Sequence, residues 1–97
     1  MAGTKTPPEK KYPYYVTTTD RFMSGWGPAK GKLNKLVFCC TSYQQAQTVA
    51  ANARARSDQK NVNIRSTRPS YNKGRYYVQW FTPGGDYKNW YRKGAFQ

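Results

Sequence analysis

The sequence predicts an α+β domain in the order β-β-α-β-β, with one mostly antiparallel four-stranded sheet carrying a single helix on one face. Three observations lead there. Residues 14–19, 61–67 and 76–82 are rich in aromatic and β-branched side chains, residues 33–40 form a nearly continuous apolar run, and one apolar stripe at helical spacing spans 43–53. A chain of 97 residues has room for one domain, which we assign to 13–97, with 1–12 as a separate arm.

The arm, MAGTKTPPEKKY, holds two prolines and three lysines without apolar periodicity and reads as flexible and basic. YYVTTT at 14–19 is the first strand. Residues 20–32 form a loop, broken by Ser24-Gly25-Trp26-Gly27-Pro28 and Gly31, before the second strand at 33–40. Thr41 or Ser42 caps a helix, with Gln44 or Gln45 three residues on. Its stripe is Tyr43, Ala46, Val49, Ala50 and Ala53, and three alanines let it lie close against a sheet. It ends near 56–58. In 61–67, Asn63 and Arg65 alternate with Val62 and Ile64, a half-buried strand. Residues 68–74 then turn into YYVQWFT at 76–82, and 83–86 turn into a tail that mixes aromatics with Lys88, Arg92 and Lys93.

Composition narrows the function. Leu, Ile, Val and Phe number 12, and with a net charge of +13 that composition borders on disorder. Nine Tyr, four Phe and three Trp offset it, because each aromatic buries ~150–250 Å² and few are needed for a thin core. With no histidine there is no imidazole base or ligand, and four scattered carboxylates make no calcium or two-metal cage. Cys39 and Cys40 are adjacent; in a strand they point to opposite faces and read as reduced structural thiols. We therefore expect no cofactor and no metal. No stretch approaches ~20 apolar residues and no signal peptide opens the chain, so a soluble, non-secreted protein without a membrane partner is expected. What remains is charge: 17 Lys and Arg against four acids, at a pI near 10.1, point to a polyanion, most often nucleic acid.

Alternation proposes where it binds. If Val16, Val62, Ile64 and Val78 face the helix, then Tyr15, Thr17, Asn63, Arg65, Tyr77, Gln79 and Phe81 face away. Leu36 and Phe38 inward would put Lys35 and Val37 outward. Tyr15, Tyr77 and Phe81 beside Lys35 and Arg65 would make a stacking platform, worth ~1–3 kcal/mol per base. The alternative is that Trp90, Tyr91 and Phe96 of the tail fold over that face. A second basic group lies in the loops: Lys30, Lys32 and Lys35 near the first, Arg68, Lys73 and Arg75 around the second turn. These six converge if both hairpins turn at one end. The stretch 25–32, GWGPAKGK, is not a phosphate-cradling loop. The helix offers Arg54, Arg56, Gln44, Gln45, Thr48 and Asn52 for a major groove, but no second helix precedes it.

The strings Tyr14-Tyr15-Val16-Thr17, Asp20-Arg21-Phe22-Met23-Ser24-Gly25-Trp26-Gly27 and Gly31-Lys32-Leu33-Asn34-Lys35-Leu36-Val37 resemble a family of small phage-encoded proteins of unassigned function. The likeness continues through Val62-Asn63-Ile64-Arg65 and Arg75-Tyr76-Tyr77-Val78, covering about 12–96. It implies a viral gene product in the cytoplasm of a host bacterium and transfers no site residues. The leading expectation is a non-enzymatic nucleic-acid-binding protein, DNA or RNA, using the sheet face and the loop cations. The alternative is a host-takeover or anti-defence protein that binds a bacterial protein, since Tyr, Trp and Arg also favour protein interfaces. No spacing pairs Asp20 with a Tyr or Lys into a catalytic set.

Overall fold

The computed structural model describes residues 12–20, 31–72, 74–85 and 87–96. The elements are β1 (Tyr14–Asp20), β2 (Leu33–Cys40), α1 (Tyr43–Arg54), β3 (Gln59–Arg65), β4 (Tyr76–Phe81) and a 3-10 turn, Lys88–Tyr91. They build the α+β architecture read from the sequence: one four-stranded sheet with one helix. The spatial order is β3-β1-β2-β4; β1 is antiparallel to both neighbours, whereas β4 runs parallel to β2. β3 and β4 are therefore the two edges and not a hairpin. The described residues of the segment expected to be a turn at 68–74 belong to a longer crossover, because β3 and β4 run in the same direction on opposite edges of the sheet and no tight turn can join them.

The helix starts where its cap dictates. The Ser42 hydroxyl accepts from the Gln45 N–H at 3.1 Å, and Gln45 Oε1 accepts from the Thr41 N–H at 2.7 Å. Ala46, Val49, Ala50 and Ala53 are fully buried against Val16, Leu36, Phe38 and Cys40. Val62 and Ile64 flank this core half-buried. The tail fills the rest of the same layer. Trp90 and Phe81 stack on Phe38 at centroid distances of 4.7 and 5.2 Å, and Tyr87 meets Phe38 edge-on at 5.9 Å. Trp90, Tyr91 and Phe96 thus pack beside the helix, not over the opposite face as the alternative sequence reading held.

Asn52 holds the tail in place. Counted among the polar residues of the helix by sequence, it is 1% exposed, and its Nδ2 donates to the carbonyls of Trp90 at 2.8 Å and Arg92 at 2.6 Å. Arg56 acts from the end of the helix: its guanidinium lies 4.9 Å from the Trp90 ring and 4.8 Å from the Phe96 ring, and it donates twice to Asp58, at 2.8 and 2.6 Å. That double hydrogen bond holds the Asp58 carboxyl below its usual range. Neither residue is free to read a groove. Replacing Asn52 with Ala leaves two inward-facing carbonyls without their donor, so about 1–3 kcal/mol of stability should be lost. Denaturant unfolding measures the loss, and hydrogen exchange should quicken first at 87–96.

Cys40 belongs to the helix-side core and Cys39 to the second core on the opposite face, as adjacent strand residues must. Both are free, both are fully buried, and burial pushes each thiol up to about 12. At pH 8 neither should react with a thiol reagent in the folded protein, whereas two equivalents should react once denaturant unfolds it. The raised values also fix the sign of the pH effect. Their contribution to stability is whole below the ordinary thiol range and is lost as pH climbs from there toward about 12.

Candidate functional site

The face of the sheet opposite the helix is set by the register. Tyr15, Thr17 and Thr19 of β1 pair with Cys39, Val37 and Lys35 of β2, and Val37 and Lys35 pair with Trp80 and Val78 of β4. On the outer side, Tyr15 and Thr17 pair with Arg65 and Asn63 of β3. This confirms Tyr15, Lys35 and Arg65 as residues of the opposite face. It reverses β4. Phe81 is 3% exposed inside the helix-side core next to Phe38, Tyr77 shares its parity, and Val78 and Trp80 lie on the opposite face. YYVQWF carries aromatics on both parities, so alternation alone could not orient it. Phe38 and the tail aromatics supply the pocket that Phe81 fills.

The opposite face is not open. Residues 66–72 leave β3 at Arg65 and cross the sheet toward β4, which begins at Tyr76, laying Arg68 and Tyr71 over it. The Arg68 guanidinium sits 5.1 Å from the Trp80 ring. The Tyr71 ring meets Tyr76 at 5.3 Å, shares a hydrogen bond with Thr17 and receives the Lys35 ammonium at 5.6 Å. Burial holds its phenol above the usual range. Asn72 closes the crossover by accepting from the Arg75 and Tyr76 N–H groups at 3.1 and 2.9 Å. Tyr12, assigned by sequence to the flexible arm, is 7% exposed and packs into this second core. Residues 1–11 lie outside the described residues.

None of the aromatics named from sequence therefore offers a stacking ring on this face. Tyr15 is 2% exposed and meets Trp80 edge-on at 6.5 Å, while Tyr77 and Phe81 belong to the other face. The cations fare differently. Arg65 is exposed on β3, and Lys35 is half-buried beside Tyr71. Lys32 and Arg75 meet at one end of the sheet, where the Leu33 N–H donates to the Arg75 carbonyl at 3.0 Å. Arg68 lies over the face itself. Of the six loop cations, the four described thus spread along one face and its rim and do not gather at one turn; Lys30 and Lys73 lie outside the described residues.

Lys60 was not singled out by sequence. Between Thr17 and Thr19 the β1–β3 register shifts: Thr17 pairs with Asn63, but Thr19 pairs with Lys60. One extra residue in β3 is absorbed by a bulge, where Asn61 takes φ 54°, a left-handed conformation that Asn tolerates. The bulge turns Lys60 to the face of Asn63 and Arg65. It also returns Gln59 to the helix side, where it bonds the Thr18 hydroxyl. Lys60 lies near enough to Lys35 that its charge, after burial, helps lower the Lys35 ammonium below its usual value.

Among the described residues, no group of three or more Cys, Asp or Glu could hold a metal, and no helix is long and apolar enough to cross a membrane. Comparisons with protein-family models, curated proteins and solved structures find no match.

Proposed function

We propose that this chain is a non-enzymatic nucleic-acid-binding protein that grips the phosphate backbone with the crossover face of its sheet. The observation that carries the reading is how charge is divided. Lys35, Lys60, Arg65 and Arg68 lie on that face, with Lys32 and Arg75 at its rim. The two acids among the described residues, Asp20 and Asp58, lie on the helix side, where both act on Arg56. A basic surface backed by buried aromatics suits sequence-independent phosphate contact, which supplies most non-specific affinity. Base stacking has a smaller part than the sequence suggests, because Arg68 and Tyr71 cover the rings.

Titration of single- and double-stranded oligonucleotides at two salt concentrations tests this. Both forms should bind, with affinity falling steeply as salt rises and little dependence on sequence. No binding at low salt overturns the reading and leaves capture of a bacterial protein as the function to pursue. A single-strand preference of a hundred-fold or more would mean that the crossover lifts to expose Trp80.

A further inference from the structure

We infer that Lys60, Thr19 and Lys35, which lie in one row across β3, β1 and β2, form a phosphate site. The row is explicit in the register, since Thr19 pairs with Lys35 on one side and with Lys60 on the other. Adjacent strands lie about 4.7–4.9 Å apart, so the two lysine backbones stand roughly 10 Å apart with Thr19 midway. Lysine stems span that gap easily, so two ammonium groups can close on one oxyanion from opposite sides.

Three features mark the row as more than two surface lysines. First, the sheet breaks its own register to make it. Without the bulge at Asn61, Lys60 would point to the helix side, and bulges commonly re-aim a side chain. Second, two like charges are held close together where neither described acid lies, an arrangement that a bound anion relieves. Third, Thr19 is 2% exposed and its hydroxyl has no hydrogen-bond partner among the described residues. A buried polar atom without a partner is costly, and an oxyanion seated between the lysines gives that hydroxyl an acceptor. Tyr71, whose phenol bonds Thr17 on β1, packs against Lys35 and limits where its ammonium can go. The ligand class is a phosphate oxyanion. The source rests on the nucleic-acid reading above: a backbone phosphodiester.

Two measurements separate the site from that reading. The first adds inorganic phosphate, against chloride at equal ionic strength, and follows backbone amide shifts. Saturable shifts should gather at Thr19, Lys35 and Lys60 and vanish in the K35Q/K60Q double variant. Thr19→Val should melt no lower than the parent without phosphate, yet gain less melting temperature when phosphate is added. The second measures the salt dependence of oligonucleotide binding for K35Q, K60Q and the double variant. Two lysines on one phosphate count once, so each single variant should keep most of the log–log slope and the double variant should lose about one unit. An unchanged slope in the double variant overturns the site, as does a two-unit loss to which the single variants each contribute one, because each lysine would then hold its own phosphate. If no oligonucleotide binds, the nucleic-acid reading fails and inorganic phosphate alone decides: saturable shifts uphold the site, and their absence overturns it.

Discussion

Replacing Phe38 with Ala should cost about 3–5 kcal/mol and lower the melting temperature by roughly 15–30 °C. Phe38 is wholly buried in the central strand β2 and is the hub of the aromatic cluster. Phe81 and Trp90 stack on it, while Tyr87 and Tyr91 meet it edge-on at 5.9 and 6.1 Å. With so few aliphatic side chains, the domain has little else to close over the cavity that Ala leaves. The cavity would lie where β4, the tail and the helix-side layer meet, so its cost adds to the lost transfer energy. A domain of this size has roughly 5–15 kcal/mol in total, so the variant should be partly unfolded at moderate temperature. Phe38→Leu restores volume without the ring contacts and should lose clearly less. Tyr43→Ala, at a half-exposed position of α1 that meets Tyr14 edge-on at 5.5 Å, should lose no more than about 1.5 kcal/mol. Denaturant unfolding followed by tryptophan fluorescence measures all three. A loss under about 1.5 kcal/mol for Phe38→Ala would show that the tail does not pack there.

The strands and the helix were legible because each depends on a local pattern. The β2 boundaries, the Ser42 cap and the alanine stripe all come from neighbours within a few residues. What misled was long-range. β2 is apolar on both parities, and Leu36, Val37, Phe38, Cys39 and Cys40 are all buried. A strand of that kind is covered on both faces, so the run itself already argued against an open platform. Nothing local says which segment supplies the cover. Arg68-Pro69-Ser70-Tyr71 has turn chemistry, and it crosses the sheet because β4 joins the far edge, parallel to β2. The candidate site divided along the same line. Tyr15, Lys35 and Arg65 kept their expected face because β1, β2 and the end of β3 alternate regularly. Lys60 stayed hidden because the bulge at Asn61 breaks the alternation between it and Asn63.

If binding is electrostatic and local to the crossover face, where a charge sits should matter more than how many are removed. Lys32, Lys60, Arg65 and Arg75 lie on that face or its rim, and Arg54, Lys88, Arg92 and Lys93 lie along the helix and tail. Changing either set of four to Gln lowers the net charge by the same amount. All the side chains except the half-buried Lys32 are exposed, so both variants should keep the fold, which melting temperature can verify. The face variant should lose about three units of log–log salt slope, because Lys35 still holds the phosphate it shares with Lys60, equivalent to roughly a thousand-fold in affinity at 0.1 M salt. The helix-side variant should lose less than about ten-fold, since charges across the domain lie beyond a screening length of ~10 Å. Oligonucleotide titrations at three or more salt concentrations give both numbers. Equal losses from the two variants would mean that net charge alone attracts the polyanion and that no face is used. A larger loss from the helix-side variant would move the interface to α1 and the tail, where Arg54 and Arg92 would have to carry it without Arg56, which is held by Asp58 and the rings of Trp90 and Phe96.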